Sequence, residues 1–257
     1  KIIVRVTENT IIAASLAKGK TILKNCAIEP EIKDLTNFLN SAGAKIKWKG
    51  RTCLVTGVNS LNEISFSVMA DRIETGTFCV AATIAKGDLE IQNSNPKVIK
   101  TELNILKRAG AKIKVLENKI CIKGPKVIKP IKNLKTKEWP GVATDMQSQI
   151  MVLMCVANGE SSIIENIFEN RFLHVGELQR LGAKIKIKNN KATIQGNTKF
   201  IGAELMSSDL RASVALVLAA MVSRGKSIIN RIYHLDRGYE DIEKKLRRIG
   251  VRIKRLK

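Results

Sequence analysis

The sequence predicts an α+β fold built from repeated helix–strand–helix–hairpin units, a βαβαββ pattern once the strand joining successive units is counted. Three observations carry this. One phrase recurs four times, as Gly43-Ala-Lys-Ile-Lys47, Gly110-Ala-Lys-Ile-Lys114, Gly182-Ala-Lys-Ile-Lys186 and Gly250-Val-Arg-Ile-Lys254, at spacings of 67, 72 and 68 residues. A second phrase precedes each, as Leu16-Ala-Lys-Gly19, Ile84-Ala-Lys-Gly87, Val156-Ala-Asn-Gly159 and Val222-Ser-Arg-Gly225, its glycine 23 to 25 residues ahead. The segments between them switch between helical and strand periodicity. Two markers in one phase define a repeat of about 68 residues.

Each element follows in order from its residues. An Ala-rich apolar helix, as in Ile150-Met-Val-Leu-Met-Cys-Val-Ala157, runs into the first glycine, which suits a left-handed C-cap. A short β-branched strand comes next, such as Ser162-Ile-Ile-Glu-Asn166. An amphipathic helix such as Glu102-Leu-Asn-Ile-Leu-Lys-Arg108 is again closed by Gly. The strand Ala111-Lys-Ile-Lys-Val115 alternates, apolar inward and Lys outward, and turns at Glu117-Asn118 into its partner Lys119-Ile-Cys-Ile-Lys123. Equivalent return strands are Thr52-Cys-Leu-Val55 and Ala192-Thr-Ile194. The fourth unit stops at Arg252-Ile-Lys-Arg-Leu-Lys257 without one. A strand without its partner leaves backbone groups unpaired, which implies a strand supplied by another segment, most simply one preceding Lys1.

Composition narrows the class. Of 257 residues, 44% are hydrophobic and no low-complexity block occurs, which excludes a disordered chain. No apolar run is long enough to span a bilayer. The basic start Lys1-Ile-Ile-Val-Arg5 has no apolar core or cleavage site of a signal peptide behind it. The five cysteines, Cys26, Cys53, Cys79, Cys121 and Cys155, are odd in number and form no C-x-x-C pair. They point to a reducing cytoplasm and inert core thiols rather than disulfides or zinc. Two histidines, His174 and His234, make no metal motif and are read as packing or hydrogen-bonding residues. Lys and Arg number 45 against 23 acids, a formal charge of +22. Such a balance suits a nucleic-acid partner. It equally suits compositional drift, since most lysines fall on the outward positions of alternating strands.

Residues that depart from the repeat are the candidates for chemistry. Asp71, Asp145 and Asp209 stand at the start of three Ala-rich helices. Each position suits an ordinary N-cap; the functional alternative is a carboxylate that serves as a base toward a hydroxyl. Arg171 and Arg237 each lie 12 residues after their unit's first glycine, where the earlier units carry Glu31 and Ile99. Arg211 also breaks the repeat. Three such arginines suit recognition of phosphate or carboxylate, the alternative being surface pairing, for example of Arg237 with Asp236 or Glu240.

Several phrases together resemble the UDP-N-acetylglucosamine 1-carboxyvinyltransferase branch of the enolpyruvyl transferase family. They are Asp71-Arg-Ile-Glu-Thr-Gly-Thr77, Thr144-Asp-Met-Gln147, Glu165-Asn-Ile-Phe-Glu-Asn-Arg-Phe172, Asp209-Leu-Arg-Ala212 and Ile232-Tyr-His-Leu-Asp-Arg-Gly-Tyr-Glu240. The resemblance covers nearly the whole chain. It implies an inside-out α/β barrel of six units in two domains, of which this chain carries about four, its C-terminal two-thirds. Residues 1–69 are then the last unit of the first domain, and 70–257 a C-terminal domain of three units lacking its final strand. The implied activity is transfer of the enolpyruvyl group of phosphoenolpyruvate to the 3′-hydroxyl of UDP-N-acetylglucosamine. It releases phosphate in the cytoplasm as the first committed step of peptidoglycan synthesis. The family's reaction uses no cofactor and no metal, and no membrane or nucleic-acid partner is implied.

Residue by residue, the resemblance makes Asp145 the candidate general base and Asp209 an acid of the proton steps. Arg211 and Arg237 match arginines that bind the charge of phosphoenolpyruvate, Arg171 a charged cleft residue, and Ile167 a position beside the uracil nucleotide. Lys1 matches a nucleotide-contacting segment, from which Ile3 and Arg5 depart. Gly141-Val-Ala143 departs from the family's usual Gly-Phe-Pro. None of the five cysteines matches the family's reactive cysteine, so the chain by itself is expected to be incomplete for turnover. Two other readings stay open: an inactive remnant of such an enzyme, and an RNA-binding or processing module of the RNA 3′-terminal phosphate cyclase type. Against the latter stand the missing histidine nucleophile motif and an aromatic content of only 4%, low for stacking bases.

Overall fold

The computed structural model describes residues 2–256. They divide into two compact units, one formed by the residues up to Ala70 with Glu138–Pro140, the other by Asp71–Lys137 with Gly141 onward.

The first unit holds one repeat: α1 (Val4–Ser15), β1 (Lys20–Leu23), α2 (Pro30–Ser41) and the hairpin β2 (Lys45–Lys49) and β3 (Thr52–Thr56). The return strand β3 lies between β1 and β2 and is antiparallel to both. Pro30 opens α2, where its missing N–H takes nothing from the helix. Ile11, Ala27, Ile32, Cys53 and Val55 close the core between helices and sheet.

The second unit repeats the pattern. Its first repeat is α3 (Arg72–Ile84), β4 (Asp88–Gln92), α4 (Lys100–Arg108), β5 (Lys112–Leu116) and β6 (Lys119–Lys123), with sheet order β4-β6-β5. The next begins with the joining strand β7 (Leu134–Lys135) and a 3-10 turn at Thr144–Met146. It continues through α5 (Gln147–Cys155), β8 (Ser161–Ile164), α6 (Val175–Arg180), β9 (Ile185–Lys188) and β10 (Lys191–Ile194), in the order β7-β8-β10-β9. The last comprises β11 (Glu204–Met206), α7 (Leu210–Met221), β12 (Ile228–Asn230), α8 (Tyr233–Asp236) and α9 (Ile242–Arg248). Here β11 and β12 pair in parallel.

Periodicity explains the layering. All nine residues of α5 are buried, and α3 and α7 are nearly as enclosed. A helix apolar on every side belongs in an interior. Accordingly α5 packs between α3 and α7, and the sheets cover this helical centre from outside. Lysines on the strands face outward, as at Lys45, Lys47 and Lys49 of β2. The inward rule fails next to hairpin tips, where Val115 and Ile187 are nearly half exposed. Among the described residues, no helix is long and apolar enough to cross a membrane.

The second-marker glycines, Gly43, Gly110, Gly182 and Gly250, all adopt φ between 94 and 107°. The next amide in each case reaches back to the fifth preceding carbonyl, as from Ala111 to Leu106, the bond that ends a helix in a Schellman turn. The first marker departs at one point. Gly19, Gly159 and Gly225 are left-handed, but Lys86 takes that conformation in place of Gly87. There the closing bond runs from Gly87 N to the Ala82 carbonyl, so the cap falls one residue earlier.

A third glycine shares the phase. Gly57, Gly124 and Gly196 each lie 14 residues after a second-marker glycine. A Cβ on Gly124 would stand 2.6 Å from the Ala82 carbonyl oxygen and one on Gly196 2.5 Å from that of Ala157, while one on Gly57 would overlap that of Ala17. The return strand thus leaves its sheet pressed against the end of its own repeat's first helix. In the fourth unit the strand expected at 251–254 does not form. In the other units β2, β5 and β9 pair only with their return strands; residues 251–254 have no such partner among the described residues. Val251 and Ile253 pack instead beside the small core of Leu235, Tyr239 and Leu246.

Candidate functional site

The three acids at helix starts behave differently. Asp71 caps α3, its Oδ1 accepting from the amides of Ile73 and Glu74 at 2.7 and 3.2 Å. Asp209 caps α7 in the same way, accepting from Arg211 and Ala212 at 2.8 and 2.9 Å. Asp145 makes no cap, contrary to the ordinary expectation for its position. The 3-10 turn Thr144–Met146 places the start of α5 beyond it, and its carboxylate turns to two arginines. Oδ1 accepts from Arg171 Nη2 at 2.7 Å and Oδ2 from Arg211 Nη2 at 2.9 Å.

This turn is held by acids buried behind it. Glu102 accepts from the Ala143 amide at 3.1 Å. Burial pushes its carboxyl above the usual range, against the pull of that amide and of Arg72. Glu165, also buried, ties three segments together. One oxygen accepts from Thr136 Oγ1 and from the amides of Ile167 and Phe168 at 2.8, 2.8 and 3.1 Å, the other from Thr144 Oγ1 at 3.0 Å. The loop carrying Ile167 and Arg171 is thereby fixed to the residue preceding Asp145. Neither Glu102 nor Glu165 stands out in the sequence as a site residue.

Arg211 occupies the first turn of α7, its carbonyl accepting from Ser148 Oγ at 2.9 Å and its side chain only 18% exposed. Burial works against its charge, but Asp145 outweighs that, with Tyr239 and Asp71 behind it, and raises the guanidinium above its ordinary value. Arg171 lies over the Phe168 ring at 5.4 Å. His174 is buried close by, and among the described residues its Nε2 has no hydrogen-bond partner. Burial lowers the imidazole to about 4, with Asp209 opposing and Arg171 adding to the effect. Beneath these groups, Thr77 shares a 2.8 Å hydrogen bond with the Tyr239 hydroxyl, and Gln149 Nε2 donates to Thr77 at 3.2 Å.

The remaining candidates separate. Arg237 is exposed at the end of α8, and among the described residues no carboxylate pairs with it. Asp236, one of the two acids that the surface-pairing alternative offered it, is taken by Arg255, at 2.6 and 3.0 Å, because the segment after α9 returns over α8. The backbone beside Arg237 still meets the start of α7: a Cβ on Gly238 would stand 2.8 Å from Leu210 Cδ2. Ile167 is half-buried on the Glu165 loop. Lys1 lies outside the described residues. Burial pushes the thiols of Cys53, Cys79 and Cys155 up to about 12, so they stay protonated and inert.

Comparison with known proteins agrees with this architecture. Residues 3–246 match the family model described as EPSP synthase (3-phosphoshikimate 1-carboxyvinyltransferase). The chain is 60% identical over all 257 residues to the UDP-N-acetylglucosamine 1-carboxyvinyltransferase of Pelagibacter ubique (strain HTCC1062), of which it covers 61%. It is 47% identical over all 257 residues to the protein of that name from Coxiella burnetii (strain Dugway 5J108-111), covering 59% of it. The chain therefore spans about 60% of the length of these relatives. The enolpyruvyl transferase NikO from Streptomyces tendae superposes with a TM-score of 0.86 at 25% identity, over 97% of this chain and 60% of that one. EPSP synthase from Acinetobacter baumannii shares the fold, with a TM-score of 0.73 at 19% identity over 96% of this chain and 60% of that one. With the family model matched from Ile3 to Leu246 and the helices-inside, sheets-outside arrangement in place, the chain belongs to the EPSP synthase family.

Proposed function

We propose that the chain is part of an enzyme that transfers the enolpyruvyl group of phosphoenolpyruvate to the 3′-hydroxyl of UDP-N-acetylglucosamine, in the peptidoglycan pathway of a bacterial cytoplasm. The observation that carries this reading is the Asp145–Arg171–Arg211 cluster at the converging starts of α5 and α7. A carboxylate beside two guanidiniums offers a proton acceptor next to seats for anionic oxygens, which is what joining a hydroxyl to a phosphorylated carboxylic acid requires. The names of the close relatives support the specific substrates.

In this reading Asp145 accepts the proton of the 3′-hydroxyl as its oxygen bonds to C2 of the enolpyruvyl group. The C2–O bond to phosphate breaks, and phosphate leaves with that electron pair. Arg211 and Arg237 carry the charge of phosphoenolpyruvate, Arg171 adds a positive charge, Asp209 serves the proton steps, and Ile167 and Lys1 lie beside the nucleotide. Residues 1–69 form the last unit of an N-terminal domain, and residues 70–257 form the C-terminal domain of three units.

The test measures phosphate released from phosphoenolpyruvate and UDP-N-acetylglucosamine. It uses the 257-residue chain and the same chain extended N-terminally to the length of its relatives. Release by the extended protein that needs both substrates and falls by about 100-fold or more in Asp145→Asn is expected. Release indifferent to UDP-N-acetylglucosamine, or to Asp145→Asn, would overturn the assignment.

A further inference from the structure

We propose that Asp145 acts as an internal stand-in for the anionic substrate. Its carboxylate fills the seat between Arg171 and Arg211, and an incoming phosphate- or carboxylate-bearing ligand must displace it to bind. This rests on reading the two arginines as part of the substrate site.

The geometry is that of a placeholder. Each oxygen of Asp145 meets one guanidinium, Oδ1 on Arg171 Nη2 at 2.7 Å and Oδ2 on Arg211 Nη2 at 2.9 Å. Neither contact is a parallel two-bond fork, so both guanidiniums keep N–H donors in reserve. One negative charge faces two positive ones, which leaves the cluster with a surplus of positive charge. The nearest alternative acids are committed elsewhere: Asp209 and Asp71 each spend a carboxylate oxygen on the amides of their own helix. A phosphate group carries more charge than a carboxylate and three oxygens, so it can serve both guanidiniums at once where Asp145 serves each singly.

Displacement has a second consequence. The carboxylate that gives up the arginines becomes free when the anion arrives, beside the bound anion. Anion binding and release of the base are then one event, and the base is held back until its reaction partner is seated. This gives a reason why Asp145, alone among the three helix-start acids, is spared from capping.

The experiment titrates inorganic phosphate calorimetrically into the 257-residue chain, comparing wild type with Asp145→Asn, which keeps the side-chain size and removes the competing charge. Phosphate is expected to bind Asp145→Asn at least about tenfold more tightly. The double variant Asp145→Asn/Arg211→Gln is expected to bind no better than wild type. Binding to Asp145→Asn that is equal, weaker or absent overturns the proposal. Because Asp145→Asn leaves two arginines unpaired and can disturb folding, the wild-type chain supplies a second measurement. The carboxyl-carbon resonance of Asp145 should move with the same midpoint as phosphate binding, and a resonance unmoved at saturation also overturns it. Neither readout involves turnover, so failure of the enolpyruvyl-transfer reading shows separately, in the phosphate-release assay.

Discussion

Acidification should weaken the larger unit through His174. Burial lowers this imidazole from its ordinary 6.5 to about 4. The unfolded chain therefore takes up a proton below about pH 6.5 that the folded chain refuses until about pH 4. The sign follows: the stability due to neutral His174 is complete above the unfolded value and is lost as pH falls through this window. Over the whole window it amounts to roughly 3 kcal/mol, with about 2 kcal/mol already gone by about pH 5. The assay is urea unfolding at stepped pH, followed by far-UV circular dichroism, for wild type and His174→Gln. Carboxylates such as Glu102, raised by burial and so opposite in sign, titrate in both proteins and cancel in the difference. Wild type should lose about 2 kcal/mol more than the variant between about pH 8 and about pH 5. Equal losses in the two proteins would refute the claim that this imidazole is held neutral by burial.

Three further outcomes are expected. Glu165→Ala removes an acceptor shared by two hydroxyls and two amides, and should destabilise by roughly 3 kcal/mol in urea unfolding, with faster exchange at the Ile167 and Phe168 amides. Asp71→Ala removes the cap of α3 and should cost about 1 kcal/mol by the same measurement. Gly124→Ala drives a Cβ to 2.6 Å from a backbone oxygen that cannot swing away, and should cost roughly 2 kcal/mol, visible as a lowered melting temperature.

Much of the architecture was legible because each repeat announces its elements locally. The all-apolar run of α5, the alternation of β5 and β6, and the second-marker glycines demand what the structure shows at those positions. Gly57, Gly124 and Gly196 were equally in phase, but their reason is a close approach to a distant helix end, which no local pattern displays. The site was less legible for a related cause. Asp145, Arg171 and Arg211 were recognisable as departures from the repeat. Their partnership spans 26 and 66 residues of chain, and helix-start chemistry argued for a cap. The alternative of surface pairing between Arg237 and Asp236 is not what forms, because the competing Arg255 arrives from 19 residues away. Glu165 reads as the end of a strand, and only the fold gives it four donors.

The third glycine bears on how the molecule opens. Through it, Gly57 N reaches the Gly19 carbonyl and Gly124 N that of Gly87, while in the third repeat Asn197 N reaches Ala157. Each bond clasps the final strand of a repeat to the end of its opening helix, so the repeat is closed on itself like a buckled loop. Such a loop cannot fray from one end; it opens as a whole or stays shut, which is the behaviour of a cooperative foldon. The last repeat, with no return strand among the described residues, has no such buckle. Native-state hydrogen exchange should therefore rank its amides, those of β12 and α9 foremost, as the earliest to exchange in the larger unit.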